Sequence, residues 1–132
     1  FADLLPQGKH WLVWDKKNTM PTFGDCELAW TNIDRTSVKK YEVQYNGLIG
    51  KEKEDRVHPT QKPVKLHESI FKDYKPESVI DLYLGSGSTL IACEKTNRKC
   101  FGMEIDPHYV SVIIKRWELF TGKKATKTTG NR

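Results

Sequence analysis

No apolar run in these 132 residues approaches the roughly 18 that a membrane span requires, so helical insertion is excluded and nothing marks the chain for secretion. Cysteine is sparse. Cys26, Cys93 and Cys100 are odd in number and show no C-x-x-C spacing, which argues against a disulfide framework and a zinc site and points to a reducing cytoplasm. The four histidines add no metal-ligand spacing, and no Ser-His-Asp set carries a local signature. No glycine is followed by Lys-Ser or Lys-Thr, so a Walker phosphate loop is missing as well.

What is present describes a globular chain, 37% hydrophobic and 30% charged. The net charge of +5 favours a polyanionic partner, although mildly basic domains are common without one. Lys123, Lys124, Lys127 and Arg132 form a basic tail that reads first as disordered and second as a phosphate-binding arm. The chain opens on Phe1 without an initiator Met, as a segment cut from a longer protein would; an engineered or proteolysed start is the alternative.

His10 to Trp14 and Cys26 to Thr31 read as a strand pair joined by a Lys, Asn, Pro and Gly stretch. From Asn32 to Val57 period is lost and charge rises, which suggests a surface insertion or a recognition loop. Pro63 opens a helix with Leu66, Ile70, Phe71 and Tyr74 on one face, stopped at Lys75-Pro76. Ser78 to Leu84 is a buried strand and Gly85-Ser86-Gly87 a tight turn. Ser88 to Lys95 is a helix whose first hydroxyls suit capping. Lys99 to Ile105 is a second strand. From Pro107 a helix carries Tyr109, Val110, Ile113, Ile114, Trp117 and Phe120 along an apolar stripe, with Trp117 and Phe120 expected in the core or facing the sheet. These last segments make a βαβα unit with parallel strands, so the fold class is α/β.

The chemistry concentrates at the turn. Gly85 and Gly87 allow a ligand to approach the backbone at a strand end, and Asp81, four residues earlier, could receive an ammonium directly or through water. Glu104 follows Gly85 by 19 residues, the place from which an acid accepts hydrogen bonds from ribose hydroxyls. Leu90 stands where a nicotinamide fingerprint would have its third glycine, so a nucleotide without a pyrophosphate fits best. The plainer reading is that the glycines only turn the chain and Glu104 is a solvated strand end.

Three ordered segments carry a family likeness: His58-Pro59-Thr60-Gln61-Lys62-Pro63, then Asp81 to Thr89 (DLYLGSGST), then Gly102 to Asp106 (GMEID). In order and spacing they resemble the cofactor motifs of DNA methyltransferases that modify the exocyclic amines of adenine or cytosine, in the permuted order of the beta class. WLVWDK and DCELAWTN are similar to the strand pair and recognition region of phage-type members. The resemblance implies a Rossmann-like S-adenosylmethionine-dependent methyltransferase fold. It implies that Asp81, Tyr83, Gly85, Ser86 and Gly87 line the methionine portion of the cofactor, with Ser88 also among the cofactor-binding residues. Glu104 would meet the ribose, Ile105 the adenine face, and Thr60 and Lys62 the carboxylate end. His58, before a backbone-fixing Pro59, reads as structural. DNA is the implied partner, with a bacterial or phage origin, a cytoplasmic location and a link to restriction and modification; adenine is favoured over cytosine by its frequency in the family. Tyr83 stands where Phe is usual, and Ser88 where Thr is frequent.

One departure is large. The family's catalytic D-P-P-Y motif, or its Asn and Ser variants, is missing, and the chain has no Pro-Pro pair at all. That motif accepts the protons of the amine and stacks on the flipped base, so the residues present could position a methyl donor but not its acceptor. The sequence therefore reads as residues 1–57, strand pair and recognition region; 58–122, cofactor region; and 123–132, tail. The fold is expected to be incomplete, the gap left by its central catalytic strand covered by an upstream segment, another chain or a non-native repacking. A truncated remnant that binds cofactor or DNA is the alternative, and an unrelated nucleotide-binding Rossmann domain the third. Trp30, Arg35, Tyr41 and Tyr45 are candidate DNA contacts, with packing as the stronger reading. No metal and no membrane are implied.

Overall fold

The computed structural model describes residues 4–18, 24–44, 58 and 61–129. The chain forms two compact units, residues 1–56 and 57–132. No helix among the described residues is long and apolar enough to cross a membrane.

The first unit is a three-stranded sheet in the order β2-β1-β3, with β1 at His10–Asp15, β2 at Cys26–Thr31 and β3 at Val38–Glu42. The central strand alternates as its sequence HWLVWD demands: His10, Leu12 and Trp14 are buried and the residues between them half-buried. β2 is antiparallel to β1, pairing His10 with Thr31 and Asp15 with Cys26. β3 is parallel to β1, pairing Trp11 with Val38 and Asp15 with Glu42. Residues 32–37 must therefore pass the start of β1, and there the His10 ring Nδ1 bonds the Ser37 carbonyl, leaving His10 1% exposed. At the other end the Trp14 indole N–H donates to Val43 O over 2.8 Å.

β3 lies inside the stretch that the sequence reads as an irregular loop. Of VKKYE only Tyr41 is buried, so the strand shows no apolar alternation to betray it. Lysines on an edge strand keep it from pairing with other chains, and Lys40 here reaches both Asp15 and Glu42. Tyr41, 6% exposed, packs inside this unit, and the Trp30 indole donates to Pro6 O, so both are held by the fold. Tyr45 falls outside the described residues.

The second unit runs α1 (Val64–Tyr74), β4 (Ser78–Asp81), α2 (Ser88–Lys95), β5 (Lys99–Gly102) and α3 (Pro107–Thr121). β4 and β5 are parallel, pairing Ser78 with Lys99 and Asp81 with Gly102. One face of this pair meets the helices: Val79 and Cys100 pack against a core of Val64, Phe71, Ile91, Ala92 and Cys93, joined by Ile70 and Trp117. Apolar area removed from water here is the main stabilising term, about 25 cal/mol per Å². On the other face Ile80 and Phe101, opposite each other in register, are 69% and 59% exposed.

Both strands are shorter than their apolar sequences suggest. β4 stops at Asp81 because its own carboxylate accepts the Tyr83 N–H, a local bond that turns the chain out of the ladder. The capping expectation for α2 is also corrected. Its N-cap is Gly87, in the left-handed region, with no side-chain cap. The hydroxyls of Ser88 and Thr89 lie inside the helix and point to other partners. On α3 only Ile113 is fully buried; Val110, Ile114 and Phe120 are exposed, so Phe120 is not a core residue. Its ring instead lies under Lys95 Nζ, 6.0 Å away. The first tail residues return to α3, where Glu118 accepts the Ala125 N–H and pairs with Lys124.

Candidate functional site

The loop between β4 and α2 folds around two glycines with positive φ, Gly85 at 56° and Gly87 at 83°. At Gly85 the requirement is conformational, since a Cβ would meet nothing closer than 3.9 Å. At Gly87 it is also steric, because a Cβ would lie 3.3 Å from Ile113 of α3. Gly87 N–H closes the turn on Leu84 O at 2.8 Å.

Two carboxylates brace this turn. Glu104, just past β5, accepts the Gly85 N–H through Oε2 at 2.7 Å and the Asp106 N–H through Oε1 at 2.9 Å. These bonds favour the charged form and hold the Glu104 carboxyl below the usual glutamate range, Asp106 N–H contributing most and Gly85 N–H next. Asp81 accepts the Tyr83 N–H through Oδ1 at 3.0 Å and the Thr89 hydroxyl through Oδ2 at 2.6 Å. The acid that ends β4 thus fastens the start of α2.

A pocket of about 280 Å³ opens beside the turn. Asp81, Tyr83, Leu84, Gly85 and Ser86 form its loop wall, with Ser88 and Thr89 from α2 and Glu104 from just past β5. His58, Gln61, Lys62 and His67 come from α1 and the segment before it. Gln61 N–H donates to His58 O, and the His58 ring rests on Tyr109 with centroids 4.3 Å apart. The wall therefore carries carboxylates, a lysine and imidazoles together.

Of the residues expected from the sequence, Lys62, Asp81, Tyr83, Gly85, Ser86, Ser88 and Glu104 meet in this pocket. Gly87 stands behind it as the N-cap of α2. Ile105 is 97% exposed and outside the wall, and the Tyr83 side chain is 90% exposed. Thr60 lies outside the described residues. Sequence reasoning missed Gln61, His67, Leu84 and Thr89 and gave His58 no site role. The spacing of His67, one helical turn after Pro63, was the available signal, since that turn brings its Nδ1 within 3.3 Å of Pro63 O.

A family model described as DNA methylase, for the N6 and N4 class, matches residues 10–116, most of the chain. The chain belongs to the N6/N4 DNA methylase family. Among this family's curated members it is similar to three type II methyltransferases. M2.DpnII of Streptococcus pneumoniae is 33% identical, with 85% of this chain and 38% of the relative covered. M.HpaI of Haemophilus parainfluenzae is 29% identical over 64% of this chain and 32% of the relative. M.HinfI of Haemophilus influenzae is 26% identical over 80% and 38%. The chain thus spans about a third to two fifths of their length. The crystal structure of the M1.HpyAVI-SAM complex superimposes with a TM-score of 0.63 at 26% identity, covering 81% of this chain and 60% of that one. The α/β architecture is that of a methyltransferase, represented in part.

Proposed function

We propose that this chain is the S-adenosylmethionine-binding portion of a DNA methyltransferase acting on the exocyclic amine of adenine ahead of cytosine. The observation that carries it is Glu104 bound to the Gly85 amide: one hydrogen bond joins the end of the second strand to the glycine turn, at the wall of the pocket. A solved relative is named as a complex with SAM, and the curated relatives are named type II methyltransferases.

The residues fit such a ligand. Lys62, with the imidazoles of His58 and His67, offers positive or donor groups for a carboxylate, and Asp81 a carboxylate for an ammonium. Thr60 would join Lys62 at the carboxylate end. The turn presents bare backbone at Gly85, beside Ser86 and Ser88, to the methionine portion, with Tyr83 next to it. Glu104 keeps lone pairs for ribose hydroxyls while its bonds to Gly85 and Asp106 fix its position. Ile105, fully exposed, offers an apolar face to an adenine ring. When bound, the cofactor supplies the electrophilic methyl group; these residues bind and orient it.

Nothing in the sequence supplies a Pro-Pro motif to hold a flipped base. We therefore place the base-holding residues on another segment or chain, whose natural seat is the exposed Ile80 and Phe101 face of the β4-β5 pair. The same lack supports a second reading, a remnant that binds cofactor or DNA without catalysis. A cytoplasmic, bacterial or phage setting with DNA as the partner goes with the methyltransferase reading, which the likeness to type II methyltransferases supports.

Calorimetric titration with S-adenosylmethionine tests the proposal. Saturable binding weakened about tenfold or more by Glu104→Ala is expected from the loss of an acceptor for ribose hydroxyls. Absence of binding by a folded sample would remove the cofactor reading for this chain. Methyl transfer to a DNA duplex by the chain alone would overturn the assignment of the base-holding residues elsewhere.

A further inference from the structure

Helix α3 reaches the back of the glycine turn with two side chains one turn apart on one face. Ile113 packs on Gly87 so closely that a Cβ there would meet it at 3.3 Å. Arg116 Nη1 donates to Ser86 O at 3.2 Å and lies 3.3 Å from Ser88 Oγ and 3.5 Å from Ser86 Oγ. Ser86 and Ser88 are 3% and 6% exposed, and both belong to the pocket wall, which Arg116 itself does not touch. The peptide between Ser86 and Gly87 is thus fixed at both ends: Arg116 takes its carbonyl, and Leu84 O takes its N–H. With Glu104 on the Gly85 N–H, the Leu84–Gly85 and Ser86–Gly87 peptides of the turn are both held.

We propose that Arg116 is a positioning residue, its guanidinium setting the Ser86–Gly87 peptide and through it the backbone against which the cofactor lies. The inference rests on the reading of this pocket as an S-adenosylmethionine site. All three contacts fall on Nη1, whose two N–H groups point in the fixed directions of the guanidinium plane and are shared among a carbonyl and two hydroxyls; an ammonium is a point charge on a flexible stem. The turn is made of residues with little side chain to pack, so its shape depends on such bonds. Neutral carbonyl and hydroxyl oxygens beside a cation also bond more strongly than beside a neutral donor.

The test uses the full chain with Arg116→Ala and Arg116→Lys. Three readouts are taken: thermal melting, the ligand-free amide resonances of Gly85 to Ser88, and calorimetric titration with S-adenosylmethionine. Arg116→Ala is expected to move the Ser86 and Gly87 amides and weaken the cofactor about tenfold, with Arg116→Lys between it and the parent. Free guanidinium ion at low millimolar concentration, far below denaturing levels, is expected to restore part of the affinity of Arg116→Ala and none of that of Glu104→Ala. A folded Arg116→Ala whose turn amides and cofactor affinity match the parent overturns the proposal. So does an affinity loss that guanidinium and lysine both fail to recover, which marks a packing role only. If Arg116→Ala does not fold, Arg116→Lys against the parent decides by the same amides. Should the parent itself bind no S-adenosylmethionine, the cofactor reading fails, while the ligand-free amides still decide whether Arg116 sets the turn.

Discussion

Glu104 shows how one residue type at one place serves two ends. Its charged form is stabilised by two backbone N–H groups, so its folded pKa lies below the unfolded one. The stabilisation is present above the ordinary glutamate range and is lost as pH falls through the depressed value. Amide resonances of Gly85 and Asp106 should therefore titrate together, with a midpoint below the ordinary value, and Glu104→Gln should abolish that titration. The thiols give a second expectation. Burial pushes Cys93 up to about 12, and Cys100 is raised for the same first cause, whereas Cys26 sits exposed on β2. Iodoacetamide at neutral pH should label Cys26 in the native protein and reach Cys93 only on unfolding, as mass spectrometry of the digested chain would record.

At the scale of elements, the second unit is tied at the junction of its helices by Arg98. Its guanidinium donates to Pro76 O at 2.9 Å, Thr96 O at 2.8 Å and Phe71 O at 3.3 Å, and it stands 5.8 Å from the Phe71 ring. It thus joins three carbonyls at the ends of α1 and α2 and before β4, of which Phe71 O also accepts the Lys75 N–H. Arg98→Ala should cost about 2 kcal/mol in urea denaturation, and Arg98→Lys should regain only part. Phe71→Ala, in the core between those elements, should cost roughly 3 to 5 kcal/mol. The βαβα order of this unit was legible because each element carries its own signal: a Pro at the entry of α3, glycines at the turn, an apolar run in each strand. β3 was not legible, since its pairing with β1 is made by backbone and only Tyr41 needs burial. The contribution of Arg116 was hidden for another reason. It meets Ser86 across 30 positions of sequence, a proximity that only the packing of α3 on the turn creates.

At the scale of the molecule, an apolar sheet face stands open. Ile80 and Phe101 contribute little to the second unit's own core, so Ile80→Thr with Phe101→Thr should change its unfolding free energy by no more than about 0.5 kcal/mol each. The same pair should reduce binding of an apolar dye such as ANS. A melt lowered by several degrees would show that the face is covered within this chain.

The distribution of indoles gives the two units separate optical labels. Trp11, Trp14 and Trp30 all lie on β1 and β2, while Trp117 alone belongs to the second unit, its N–H on Glu94 and its chain neighbour Arg116 on the glycine turn. A chain with phenylalanine in place of Trp11, Trp14 and Trp30 would keep its one indole on the helix whose Arg116 holds the glycine turn, so fluorescence could follow events in the second unit without any added dye.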